Sequence, residues 1–237
     1  GEILFYKIFN RALTTAETSY QYELEKNRIE SMPQIVADNM HFWLDANYYS
    51  SYPNTGTIWY DLSNNAKNFT TYVNQTVTAL SFTSTEPRYF TFNGTSSFGR
   101  IPSVNGVTNF TNSQQYSVEI WFNPANGQPN SGEAELIEKW NLNNISRYPY
   151  TLRFNEGISN AYFACYDGTN FPSASLTGIS VGNWYQVVGV FNFTTDVLSI
   201  YKNGVIGSTA SLVGVGQVSN SSPVGIAHRV SVDGSSA

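Results

Sequence analysis

Three carboxylates lie close together in Glu133-Ala134-Glu135-Leu136-Ile137-Glu138. A pair of carboxyl groups about 5–5.5 Å apart is what a retaining glycosidase uses as nucleophile and acid/base. Side chains on a regular strand alternate between faces, so Glu133 and Glu138, an odd number of positions apart, point to opposite faces unless a bulge intervenes. The spacing therefore argues against catalysis. Just beyond, Trp140-Asn141-Leu142-Asn143-Asn144 and Tyr148 share one loop, and Tyr166-Asp167-Gly168 sits on another. Rings that stack on sugars beside amides that bond hydroxyls are the chemistry of glycan recognition, and such loops carry function on rigid scaffolds. The competing reading is that these rings pack the loop bases. The two histidines, His41 and His228, lack zinc-ligand spacing, and no Gly-x-Ser-x-Gly elbow occurs. Cys165, the one cysteine, lies between Ala164 and Tyr166 and reads as a small buried hydrophobe.

The composition narrows the field of partners. Charged residues make up 12% of the 237 residues, and the net charge is -5. No basic stripe exists to hold phosphates, so nucleic acid is excluded as a partner. No apolar run approaches the ~18 residues of a membrane span, so no membrane insertion is expected. Asn, Ser, Thr and Gly replace charge, which suits neutral surfaces that face sugars or neighbouring copies of the same chain. With 41% hydrophobic and 15% aromatic residues a large core is available. The chain opens on Gly1 without an initiator Met or a signal-peptide pattern, as expected of a processed product or a segment of something longer.

The elements that position these residues are nearly all strands. Residues 3–9, Ile-Leu-Phe-Tyr-Lys-Ile-Phe, have strand character. Thr14 and Glu17 have capping-box spacing, and Tyr20 and Leu24 share a face, which predicts a short surface helix over 14–29. After Pro33, short alternating runs separated by Gly, Asn, Pro and Ser recur to the end, the pattern of an antiparallel sandwich or barrel. Asn203-Gly204 predicts a type I′ hairpin between Val197–Lys202 and Val205-Ile206. Trp121 and Trp184 alternate with polar neighbours and are expected to face the interior between two sheets.

Several of these runs, in order, resemble the laminin-G-like, concanavalin A-like lectin/glucanase superfamily. Trp184-Tyr-Gln-Val-Val-Gly-Val190 followed by Leu198-Ser-Ile-Tyr201-Lys-Asn203-Gly204 looks like its "W-x-h-V-V" strand and "L-x-L-Y-x-N-G" hairpin. Trp59-Tyr-Asp61-Leu-Ser63-Asn-Asn65, Phe92-Asn-Gly94 through Ile101-Pro102, Tyr116-Ser-Val-Glu119-Ile-Trp121-Phe122 and Ile137-Glu-Lys139-Trp140 match further segments over about residues 38–230. The resemblance implies an all-β, two-sheet antiparallel jelly-roll sandwich, here with one short N-terminal helix. Gly1 to Glu17 is similar to the family's last strand and closing helix, yet stands first. Residues 1–33 are therefore read as a closing element and 34–237 as the sandwich. The element belongs to a preceding tandem copy, closes this sandwich by permutation, or completes a neighbouring chain, and the edge it would leave bare is expected to be filled.

The resemblance also implies a structural calcium ion at Asp61, Asn64 and Asn65, whose oxygens suit a hard cation. The second carboxylate that relatives supply is Leu4 here, and Asp61 serves equally well as a turn cap. Glycan-contacting residues are expected to be Trp140, Asn141, Asn143, Tyr148, Tyr166 and Asp167. The function expected is a non-catalytic module, on the cell surface, outside the cell or on a virion surface, for carbohydrate binding and adhesion or for assembling a fibre or coat. The alternative is a glycan hydrolase on the same jelly roll. Seven Asn-x-Ser/Thr triplets, at Asn68, Asn74, Asn93, Asn109, Asn144, Asn192 and Asn220, permit glycosylation in a eukaryotic setting.

Overall fold

The computed structural model describes residues 2–26, 38–104, 107–110, 114–125, 133–141, 148–155, 159–213 and 219–230. Two antiparallel sheets stack over a common core. The first holds eight strands: β1 (Glu2–Phe9), β2 (Met40–Asp45), β6 (Ser81–Thr83), β7 (Tyr89–Thr91), β9 (Tyr116–Asn123), β14 (Tyr185–Asn192), β15 (Val197–Lys202) and β16 (Val205–Ser211). The second holds nine: β3 (Ile58–Trp59), β4 (Phe69–Val73), β5 (Thr76–Val77), β8 (Ser97–Ile101), β10 (Glu133–Lys139), β11 (Tyr150–Asn155), β12 (Asn160–Ala164), β13 (Ser173–Thr177) and β17 (Val224–Ile226). The helix α1 (Thr15–Lys26) is the one helix of the described residues. This is the jelly-roll sandwich that the sequence implies.

Strand β1 does not patch an edge. It pairs with β9 along its whole length, and on its other side with β2 over Phe5–Phe9 and with β7 at Glu2 and Ile3. The strand that arrives out of order thus lies in the middle of the first sheet, paired within its own chain. Without it β9 and β2 would lose their shared neighbour and the sheet would split.

Alternation on the central strands sorts the side chains. Tyr6 and Ile8 of β1 and Val118, Ile120 and Phe122 of β9 enter the core between the sheets, against Leu152, Phe154 and Phe163 of the second sheet. Lys7, Ser117, Glu119 and Trp121 therefore face outward, and α1 covers them. Trp121 is buried at 7% exposure, but by the helix: its indole stacks on Tyr22 at 6.0 Å. Trp184 precedes β14, half-buried and edge-on to Tyr89 at 5.6 Å. Neither indole lies between the sheets, which corrects the expectation drawn from alternation. Cys165 is fully buried in the core, as expected, and burial pushes its thiol up to about 12.

The helix is held at its start and along one side. Thr14 and Glu17 form the capping box, with Glu17 N donating to Thr14 Oγ1 at 3.2 Å and Thr14 N donating to Glu17 Oε2 at 2.8 Å. Arg11 adds an ion pair to Glu17 at 2.8 Å, and the Arg11 bond first, then those from Thr14, hold the carboxyl down at about 2. Leu13 N and the carbonyl of Arg11 both bond Ser117 Oγ, which ties the turn before α1 to β9. The β15–β16 hairpin takes the type I′ form, with Asn203 at φ 50° and Gly204 at φ 75°. A Cβ at Gly204 would stand 2.8 Å from Ser19 Cα of the helix, so glycine is needed there for close approach as well as for the turn.

A chain beginning at Asn10 is expected to show no cooperative thermal transition by near-ultraviolet circular dichroism. A cooperative transition within a few degrees of the full chain's would contradict the central position of β1.

Candidate functional site

No helix of the described residues covers the outer face of the second sheet, and the carboxylates meet there. Strand β10 pairs Glu135 with Arg153 and then Ile137 with Leu152, so Leu136 is an extra residue in the ladder. The bulge carbonyl of Leu136 accepts Ala227 N at 3.1 Å. One inserted residue reverses the alternation beyond it. Glu133, Glu135 and Glu138 consequently share a face, opposite to the expectation for a regular strand.

Arg229, from the segment following β17, gathers all three. Its Nε donates to Glu138 Oε1 at 2.7 Å, and its Nη2 bridges Glu135 at 3.1 Å and also reaches Glu133. Arg153 pairs with the other oxygen of Glu133 at 2.8 Å, and Thr151 Oγ1 donates to Glu138 Oε2 at 3.1 Å. Glu138 is fully buried, and that burial raises its carboxyl to about 7 against the opposing pull of Arg229. The guanidiniums also lie on rings: Arg229 is 4.4 Å from the Trp140 ring, and Arg153 is 5.1 Å from Tyr148. The carboxylate cluster and the aromatic loops are therefore one construction.

The two aromatic loops meet at the same end of the sheet. Tyr166 N donates to Tyr148 O at 2.8 Å. Phe171 lies 5.6 Å from Tyr148 and 4.8 Å from Tyr166, and is 45% exposed. Phe171 is the outward ring of the cluster, and the sequence reading missed it. Its signal was slight, a lone aromatic in Gly168-Thr169-Asn170-Phe171-Pro172.

Trp140 is buried beneath Arg229, and Tyr166 is buried with its hydroxyl bonded to Gly168 O. The Asp167 carboxylate accepts Thr169 N, Asn170 N and Val213 N, all within 3.2 Å, and is fully buried. These three residues shape the loops rather than facing out of them. Tyr148 and Asn141 are half-buried beside them, and Asn143 lies outside the described residues. Asn170 and Thr169 are exposed next to Phe171 and offer amide and hydroxyl groups.

The Asp61 loop does not fit a calcium ion. Oδ1 accepts Trp43 N and Ser63 N, both at 2.9 Å. Oδ2 accepts Ser63 Oγ at 2.8 Å and Lys67 N at 3.0 Å. The space around both oxygens is thus occupied by proton donors, which repel a cation. Asn65 donates its amide to His41 O, and Asn64 is exposed. The carboxylate serves as the turn cap that was the competing reading. Among the described residues no group of three or more His, Cys, Asp or Glu is placed to hold a metal ion. Of the triplet asparagines, Asn74 and Asn93 are exposed. Asn68, Asn192 and Asn220 turn their side-chain oxygens onto backbone N–H groups. Asn109 is half-buried, and Asn144 lies outside the described residues. No helix of the described residues is long and apolar enough to cross a membrane.

A family model described as the Concanavalin A-like lectin/glucanases superfamily matches residues 93–236. No curated protein matches the chain. Among solved structures, the binding domain of Paraclostridial Mosquitocidal Protein 1 superposes with a TM-score of 0.57 at 13% identity, covering 75% of this chain and 43% of that one. A botulinum neurotoxin type C structure, for a toxin whose cell entry is described as dependent upon interaction with two ganglioside molecules, gives 0.58 at 12% identity, covering 81% and 43%. The binding domain of botulinum neurotoxin serotype C1 gives 0.56 at 13% identity, covering 75% and 41%. The chain spans under half the length of each, and at these identities the likeness is one of fold.

Two outcomes are expected. Calcium or a chelator leaves the melting temperature unchanged, whereas Asp61→Ala costs about 2–4 kcal/mol through the amides it leaves unpaired; a calcium-dependent rise would overturn the cap. For Glu138, the folded value near 7 stands above the unfolded value of about 4.5, so the folded state binds the extra proton and stability falls as pH rises through that window. The fall amounts to roughly 3 kcal/mol at most, and Glu138→Gln should flatten it in pH-dependent urea titrations.

Proposed function

The chain belongs to the concanavalin A-like lectin/glucanase superfamily, and from that premise we propose that it is a non-catalytic, glycan-binding module that works at a surface outside the cell. The observation that carries this reading is the Phe171 ring, exposed and backed by Tyr148 and Tyr166, at an end of the second sheet's outer face. A ring fixed by neighbouring rings loses little conformational freedom on binding, and its face matches the C–H face of a pyranose. Asn170, Thr169 and Asn141 supply amide and hydroxyl partners for sugar hydroxyls. Trp140, Tyr166 and Asp167 act beneath them by holding the two loops at fixed height. The toxin binding domain that shares the fold, and the ganglioside interaction described for the cell entry of botulinum neurotoxin type C, are in keeping with this reading.

A second reading, glycoside hydrolysis, has one observation in its favour: three carboxylates on one face, the innermost raised to about 7. Against it, every one of the three is engaged by a guanidinium, and Glu138 is sealed from solvent behind Arg229. A general acid must reach the glycosidic oxygen, and this one has no path to it.

On a glycan array followed by calorimetry, Phe171→Ala and Tyr148→Ala are each expected to weaken binding about tenfold or more, the loss of one stacking contact. Binding unchanged by both substitutions would refute the site. Incubation with bound glycans should release no reducing sugar; release that Glu138→Gln abolishes would instead establish the hydrolase.

A further inference from the structure

The outer face of the first sheet hides a second polar cluster that glycan binding does not use. Lys7 of β1, Gln21 of α1, Glu119 of β9 and Gln186 of β14 are all fully buried between the helix and the sheet. Lys7 Nζ donates to Gln21 Oε1 at 3.1 Å. Lys7 and Glu119 are register partners across β1 and β9, which puts their side chains side by side on this face. Gln186 Nε2 at 2.9 Å and Trp121 Nε1 at 3.3 Å both donate to Glu119 Oε1 and fix the carboxylate in place. The Gln21 Nε2 group, in contrast, is buried with no hydrogen-bond partner among the described residues.

We propose that Lys7 and Gln21 join in an intramolecular amide bond, a covalent staple between the central strand β1 and the helix that covers it. The arrangement supplies an amine held against a carboxamide and a carboxylate beside the amine to move the proton. Burial disfavours the separate charges of ammonium and carboxylate, so passing a proton from Lys7 to Glu119 leaves a free amine facing the Gln21 carbonyl. The Lys7 nitrogen then attacks Gln21 Cδ. Glu119 returns that proton to Nε2 and takes a second one from the attacking Lys7 nitrogen, the Cδ–Nε2 bond breaks, and ammonia departs. One C–N bond forms and one is lost, with no change in oxidation state and no co-reactant. Groups held at contact distance in the fold react without the entropic cost of encounter. The product also removes two unfavourable features at once, the buried amine and the orphaned amide N–H donors.

The test is mass spectrometry on the folded wild-type protein after incubation at neutral pH, with a peptide map beside the intact mass. The expected results are a mass lighter than the sequence by one ammonia, a branched peptide joining the segments that carry Lys7 and Gln21, and no tryptic cleavage after Lys7. Asn-Gly sequences such as Asn203-Gly204 can also lose ammonia by cyclising, so the variants separate the sources. Lys7→Arg and Gln21→Met should restore the full mass, and Glu119→Gln, which keeps the shape but not the proton transfer, should leave a linear chain or slow linkage at least tenfold. If Lys7→Arg does not fold, Gln21→Met, which alters no charge, carries the comparison. A linear Lys7 peptide from folded wild-type protein, or an ammonia loss that persists in Gln21→Met, overturns the proposal.

Discussion

A β-sandwich has two outer faces as well as one core, and the way this chain covers them governs everything else. The first sheet is bisected by β1, so the helix that follows directly from it must cross the outer face of that same sheet. Trp121, Phe9, Val188 and Tyr201 are buried there, beyond the core between the sheets. With one helix in the described chain and that helix committed, the second sheet's outer face is left to loops and side chains. That face is where the aromatic cluster forms. The closing strand and the candidate site are two results of one topological choice.

The second sheet solves its exposed face with charge and rings in place of a helix. The Leu136 bulge turns three glutamates to one side, and Arg229 and Arg153 tie them down while lying on Trp140 and Tyr148. A guanidinium serves both ends of this arrangement, since its edge forks onto carboxylates while its face meets a ring. The loops above are consequently held by the sheet below. Asp167 completes the scaffold by gathering the backbone amides of its own loop and of Val213.

What was legible in the sequence was local. The capping box at Thr14 and Glu17 and the Asn203-Gly204 turn depend on residues a few positions apart, and both stand as their spacing implies. The strands and the sandwich follow from alternation and from the ordered resemblance. Alternation misplaced Trp121 because β9 is buried on both faces, so its pattern carries no contrast between core and helix side. The bulge was invisible because Leu136 O is claimed by Ala227 N, far along the chain. At Asp61 the residue type suits a cation and a cluster of amides equally; the direction of four donors decides it. Phe171 gave no periodic signal, since its exposure is set by two rings from separate loops.

The central claim, that sugars are received on the ring surface at the end of the second sheet's outer face, is tested most directly by saturation-transfer and chemical-shift mapping with a glycan that binds. Magnetisation should pass from the Phe171 and Tyr148 rings to the carbon-bound protons of one sugar face, with shift changes gathered at the loops around residues 141, 148 and 169–171. Transfer from rings under α1 or from the opposite end of the sandwich, with the Phe171 resonances unmoved, would contradict the account.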